Sequence, residues 1–301
     1  MNENLILHLI QATLVLAMII IIIELTIHIR RQEINIFQRF VTGFWIGLVT
    51  DMLDTLGIGS FATTTTLFKL TKLNDDDTKL PGTMNAAHVI PVMVEAICFI
   101  SAVKVEPLTL ILMASASFFG ALFGTRITKN WNERLVQLIL GSLLIVAALI
   151  MAYRMLTNPG GGLSTTVHGL HGIWLVVGVV FNFTIGVLMT MGLGNYAPEL
   201  IFFSLMGLSP AIAMPVMMLD AAMIMTASST QFIKADRVNW TGYAGLVLGG
   251  VIGVLIAFKF LTSINIDTLK TLVIAIVIFT GVMLIRSSFV KKLDSHKIIT
   301  K

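Results

Sequence analysis

Twice in this chain an apolar run is cut near its middle by a Gly-x-Gly pair, and the two cuts lie 135 residues apart. The first is Gly57-Ile58-Gly59-Ser60, set between Gly43 and Lys69; the second is Gly192-Leu193-Gly194-Asn195. At a shift of 135, Gly43 falls on Gly178, Leu53 on Leu188, Thr55 on Thr190, Gly57 on Gly192, Gly59 on Gly194 and Ala62 on Ala197, six identities in twenty ungapped positions. Pro81 and Pro215 pair at a shift of 134. The surrounding runs approach the roughly 20 apolar residues that carry a helix across hydrocarbon. Membrane helices interrupted at corresponding points of two repeats are the building plan of secondary transporters.

Charged residues make up 12% of the chain, against about 25% in soluble domains, and the mean hydropathy is +0.92. The runs do not alternate as barrel strands do, so the class is all-α and polytopic. One cysteine, Cys98, rules out an internal disulfide framework and a multi-cysteine metal site. The net charge of +4 comes from short loops and does not indicate nucleic acid. No GxxxxGK[ST] loop, HExxH or Gly-x-Ser-x-Gly occurs, and Ser60 stands where an intramembrane aspartyl protease would carry its aspartate. Neither an enzyme nor a cofactor or metal site is expected. The apolar run 5–29 is too long for a signal core and is expected to stay as a first span.

Charge sets the expected topology. If each interrupted region enters and leaves on one side, 16 of the 20 lysines and arginines gather on that side; full crossings lower the number to 12. The positive-inside bias therefore favours hairpins. Residues 43–56 make about 21 Å of helix, enough to reach the midplane but not to cross. A hairpin followed by three spans reverses orientation, so the repeats are expected to be inverted. The expected plan has five parts: a first span and basic loop (1–39), a first repeat (40–156), a glycine-rich linker (157–170), a second repeat (171–287) and a basic tail (288–301). That makes seven spans and two re-entrant hairpins in a cell membrane, with the N-terminus outside and the C-terminus cytoplasmic.

A helix that begins inside a membrane presents free N–H groups and a partial positive charge. Those donors need a partner, and an anion can serve where the backbone lines a cavity. Gly57, Gly59, Gly192 and Gly194 would let backbone approach a ligand closely. Ser60, Thr63 and Thr64 add hydroxyls, Asn195 an amide and Tyr196 a hydroxyl. The same glycines would also suit close helix packing. The acids Asp54, Glu95 and Asp220 are expected to lie deep, with no lysine or arginine at that depth, and are candidates to carry a coupling proton. Glu199 suits a helix N-terminus, Asp51 and His88 suit hydrogen-bonded positions inside the protein, and Met214, Met217, Met218, Met223 and Met225 suit adaptable packing. Buried acids without buried bases would also suit a cation carrier.

The segment Gly57-Ile58-Gly59-Ser60-Phe61-Ala62-Thr63, a loop, and a helix with Asn85 near its start resemble the sulfite exporter TauE/SafE family. Gly192-Leu193-Gly194-Asn195-Tyr196-Ala197-Pro198 has the same layout. The resemblance covers roughly residues 40–290 and leaves the first span as an extension. Ser60 and the Thr63–Thr66 run depart from the richer glycine run of many members. The resemblance implies a permease that moves a sulfur-containing anion such as sulfite, a sulfonate or sulfoacetate, usually outward, with Asn85 joining the substrate-binding set. The lipid bilayer and the small anion are the expected partners; the oligomeric state is left open.

Overall fold

A computed structural model describes residues 3–56, 60–74, 76, 78–127, 133–157, 168–261, 271, 274–286 and 288–289, and among them every regular element is helical. Ten helices follow in order: α1 (Glu3–Arg31), α2 (Phe40–Thr55), α3 (Ser60–Thr71), α4 (Leu80–Ala102), α5 (Pro107–Ile127), α6 (Glu133–Thr157), α7 (Gly172–Met189), α8 (Tyr196–Leu205), α9 (Pro210–Lys234) and α10 (Tyr243–Leu261). Ile274–Arg286 is a further apolar helical run. Gly57 and Gly59, most of the linker and nearly all of the tail lie outside the described residues. A shift of about 135 residues carries α2 onto α7, α3 onto α8, α4 onto α9 and α5 onto α10.

Six helices are long and apolar enough to cross a bilayer: α1, α4, α5, α7, α9 and α10. Five of these are spans expected from sequence. The sixth, α7, has 18 residues, about 27 Å at 1.5 Å per residue, longer than the half-crossing expected of a hairpin arm. Its counterpart α2 has 16.

Helix packing follows the two copies. The most extensive contacts join α2 to α10 and α5 to α7, and then, equally, α4 to α9 and α5 to α9. Exchanging the copies turns the first pair into the second and leaves the third unchanged. Small residues let backbones touch, as they do between membrane helices generally. A Cβ on Gly43, Gly47, Gly245, Gly249 or Gly253 would meet backbone across the α2–α10 seam, and one on Gly120 or Gly186 would do the same between α5 and α7. In both seams the partners run parallel. By contrast α4 and α9 run antiparallel, since Gly82 lies against Phe232 and Asn85 bonds Ser228.

One end of the bundle collects basic residues. The Arg39 guanidinium donates to the carbonyls of Thr71 and Lys72 at 2.8 and 2.7 Å. One side chain thus ties the start of α2 to the end of α3. Arg237 reaches the Thr78 carbonyl, Asn239 the Leu73 carbonyl, and Gly242 the Gln38 carbonyl. In the same cluster the Thr78 N–H and hydroxyl donate to Asp76, at 2.9 and 2.6 Å, and hold its carboxyl below the usual carboxylate range. At the opposite end, Glu106 N–H donates to the His168 carbonyl and Leu170 N–H to the Thr109 hydroxyl. There α7 and α9 both begin.

The first helix lies on the outside of this bundle. A stripe of Leu14, Met18, Ile21 and Leu25 faces inward, and only the first, third and fourth are fully buried. Gln11 donates to Ser101 on α4, while Glu24 accepts from Thr230 at 2.8 Å and pairs with Lys234 at 3.7 Å. Leu9, Leu16, Ile20, Ile23 and Ile27 stay exposed, as a lipid-facing surface requires.

Candidate functional site

The two breaks meet in the interior. A Cβ on Gly192 would lie 4.0 Å from the Phe61 ring and 3.7 Å from the Met84 methyl, so the second break rests against the first turn of α3. Gly192 has φ +87°, a conformation that disfavours any residue with a Cβ. Among the described residues nothing stands within 4 Å of a Cβ on Gly194. Ser60 and Asn195, the residues that open or cap α3 and α8, are 1% and 2% exposed.

Each short helix is met at its start by an acid of the chain itself. Asp54, in the last turn of α2, accepts a hydrogen bond from the Ser60 N–H across the break. In the second copy, Glu199 sits in the first turn of α8, and the Asn195 amide donates to it and to the Met217 carbonyl, both at 3.1 Å. Both arrangements place an acidic group where the helix dipole would favour negative charge.

Around the breaks the carboxyl groups form a string from one copy to the other. Asp51 bonds His88 Nδ1 at 2.8 Å, and His88 Nε2 lies 3.1 Å from the Thr64 hydroxyl. Three helices, α2, α3 and α4, are thereby joined through one imidazole. Asp54 follows Asp51 by one turn and faces Glu95. The Tyr196 hydroxyl donates to Glu95 at 3.1 Å and so carries the string from one copy to the other. Beyond it, Glu199 faces Asp220. Every member is essentially buried, and no lysine or arginine among the described residues is. Ser60 Oγ, Glu95 Oε1, Glu199 Oε1 and both oxygens of Asp220 have no hydrogen-bond partner of ordinary geometry. The Ser117 hydroxyl lies beside Asp220 and also reaches the Asn182 carbonyl at 3.4 Å.

The candidate residues read from sequence separate into three groups. Ser60, Thr64, Asn195 and Tyr196 surround the breaks, with Asp54 and Glu95 among them. Thr63 turns its hydroxyl back to the Ser60 carbonyl at 2.9 Å. Asn85 is occupied elsewhere: it donates to the Pro81 carbonyl at 2.8 Å and accepts from the Ser228 hydroxyl at 2.6 Å, so it ties α4 to α9. Asp220 belongs to the string but is separated from Asp54 by Glu95 and Glu199. Sequence reasoning did not single out Ser117, Asn182 or Ser228. Buried Ser and Asn look like ordinary small polar residues until their partners on other helices are known.

No group of three or more His, Cys, Asp or Glu among the described residues could hold a metal ion. The methionines named above are buried or half-buried packing residues. An open polar cavity of about 920 Å³ does exist, but on the basic end, lined by His28, Gln38, Lys79, Lys234, Asn239 and Trp240 among others. None of the residues at the breaks lines it. At the starts of α3 and α8 the Ser60 N–H, the Asn195 amide and the Tyr196 hydroxyl donate to carboxyl groups of the protein itself.

Residues 1–151 match the family model described as sulfite exporter TauE/SafE. The match takes in α1, which the motif resemblance over 40–290 does not reach, and ends within α6. No curated protein and no solved structure gives a significant match. Half of the chain thus agrees with the family model, the membrane-length helices agree with a permease, and the motif layout of the second copy repeats that of the first. The chain is an integral membrane protein that belongs to the sulfite exporter TauE/SafE family, a family of transporters and not of enzymes.

Proposed function

We propose that this protein is a secondary exporter of a small sulfur-containing anion, with the substrate taken up between the starts of α3 and α8. The observation that carries this reading is the meeting of the two breaks, where Gly192 lies against Phe61 and Tyr196 bonds Glu95. Two helix N-termini then face one interior region in which no lysine or arginine among the described residues is buried, so backbone and neutral donors hold the anion. Ser60, Thr64, Asn195 and Tyr196 line it, with Gly57, Gly59, Gly192 and Gly194 giving it room. Thr63 and Asn85 support the two walls. Asp54, Glu95 and Asp220 are the proton-coupling candidates, since an acid with no cationic neighbour changes charge by taking up a proton.

The repeats are inverted. Support comes from α4 and α9, equivalent helices that run antiparallel, which puts the relating axis across the helices and in the membrane plane. The Arg39 clamp supports a re-entrant first hairpin, and the shared starting end of α7 and α9 supports the second. The basic end is cytoplasmic, which leaves the N-terminus outside and the C-terminus inside.

Proteoliposomes loaded with sulfite, methanesulfonate or a divalent metal test the function directly. Anion efflux that a pH gradient drives is the expected result. The acid string favours a second reading, carriage of a cation, and metal flux without anion flux in the same assay would establish it instead.

A further inference from the structure

We propose that Asp54 is a built-in substitute for the transported anion: its ionised carboxylate and the substrate exclude one another at the start of α3. Each anion bound there therefore brings one proton onto Asp54. The inference rests on the anion reading above and adds to it the reason for coupling and its sign.

The start of α3 is the donor end of a 12-residue helix buried in the protein. In this conformation its first N–H is already taken by an oxygen of the Asp54 carboxyl, where an anion would otherwise bind. The Ser60 hydroxyl belongs to the same first turn, is 1% exposed and lies beside the same carboxyl without a hydrogen bond of ordinary geometry. One donor is filled from within and the next is held only loosely, which is the arrangement of an anion site that the protein itself closes.

The titratable groups facing Asp54 are Asp51 on its own helix, His88 and Glu95 on α4, and Tyr196 on α8. His88 is the one base among them, and Asp51 already holds it. A substrate anion arriving beside ionised Asp54 would add like charge to a region that holds Glu95 as well, and at low dielectric that repulsion is severe. Protonated Asp54 carries no charge and gives up its claim on the Ser60 N–H. The exchange balances: one carboxylate, one proton and one free anion become one carboxylic acid and one anion bound at the helix. A monovalent anion then moves with its proton in the same direction and without net charge.

The test uses the purified full-length protein and methanesulfonate, which stays fully ionised between about pH 5 and 8, so every proton effect belongs to the protein. Affinity should fall about tenfold per pH unit on the alkaline side, with about one proton taken up per sulfonate bound in weakly buffered solution. Asp54→Asn keeps an oxygen acceptor for the Ser60 N–H but cannot ionise. It should bind sulfonate equally at every pH and take up no proton. If Asp54→Asn does not fold, the wild-type proton count decides alone, and Asp54→Glu must retain the uptake. Wild-type binding that is flat with pH and takes up no proton overturns the inference and leaves the anion reading standing. Uptake that persists in Asp54→Asn assigns the proton to another acid and also overturns it. A protein that binds none of methanesulfonate, sulfite or sulfate at any pH removes the anion reading, and the inference with it.

Discussion

Gly194 and Gly186 stand eight positions apart in the second copy, and their surroundings treat a side chain oppositely. Among the described residues a Cβ on Gly194 meets nothing within 4 Å, whereas one on Gly186 runs into the Ser117 carbonyl of α5. Gly194→Ala should therefore melt like the parent yet bind sulfonate more weakly, because the methyl enters space beside the start of α8. Gly186→Ala should lose about 1–3 kcal/mol of stability through forced separation of α5 and α7. Melting and anion titration on both variants check this; a destabilised Gly194→Ala would make that glycine a packing residue. A second residue-scale expectation concerns the imidazole. Asp51→Ala leaves His88 buried without its carboxylate and should cost about 3–5 kcal/mol, as removal of one member of a buried pair does. His88 and Asp51 are 37 residues apart, and no periodicity in the sequence connects them. That is why they read as separate interior residues, and why the Thr64–His88–Asp51 link across three helices was invisible before the fold was known. Asp54 was legible as a deep acid one turn before a break. Its bond to Ser60 was not, because a carboxyl that accepts from a backbone N–H six residues on leaves no periodicity in the sequence.

At the scale of the element, the helices were the most legible part. Apolar runs gave the five long spans α1, α4, α5, α9 and α10 to within a few residues. The starts of α3 and α8 were legible from the Gly-x-Gly pairs, and the end of α3 from the polar loop 69–82 that follows it. The seams were not read from the sequence, although Gly245, Gly249 and Gly253 recur every fourth residue, the pattern of a close-packed membrane helix face. What they pack against depends on which parallel neighbour lies beside them, and that is a property of the bundle. The Arg39 clamp gives a prediction at this scale. Arg39 has φ +55°, a left-handed conformation that glycine adopts without strain. Arg39→Gly thus keeps the backbone and removes only the guanidinium that holds the Thr71 and Lys72 carbonyls. Two charge-assisted hydrogen bonds at an exposed helix end should cost about 1–2 kcal/mol together after solvent screening. Hydrogen exchange should quicken across residues 60–71 and stay unchanged in α4 and α9. Unchanged exchange in α3 would mean that the hairpin is held by its interior contacts alone.

For the whole molecule, the sequence count of basic residues and the spatial grouping of loops point to one arrangement from independent directions. Arg39, Lys72, Lys79, Lys234 and Arg237 lie at the end where α2 begins, α3 ends and α9 ends. Lys104, Glu106, His168 and His171 lie at the other, where α7 and α9 begin. If both interrupted regions are hairpins, the first opens to the basic end and the second to the opposite end. Single cysteines can read this in intact cells, in a Cys98→Ser background. Asn74 is unsuitable as a probe because it is 1% exposed and bonded to Asn239. Lys72 and Arg237 at one end, and Lys104 and His171 at the other, are exposed and serve instead. Lys104→Cys and His171→Cys should react with an impermeant maleimide added outside, while Lys72→Cys and Arg237→Cys should react only after permeabilisation. The informative pair is Lys72 and Lys104. They are separated by α4, a single span of 23 residues, so opposite labelling fixes its direction, and Arg39 then places the start of α2 with Lys72. Labelling of Lys72→Cys and Lys104→Cys from the same side would require α4 not to cross. Labelling of Lys72→Cys and Arg237→Cys from opposite sides would break the antiparallel relation of α4 and α9, and with it the inverted repeat on which the shared anion site depends.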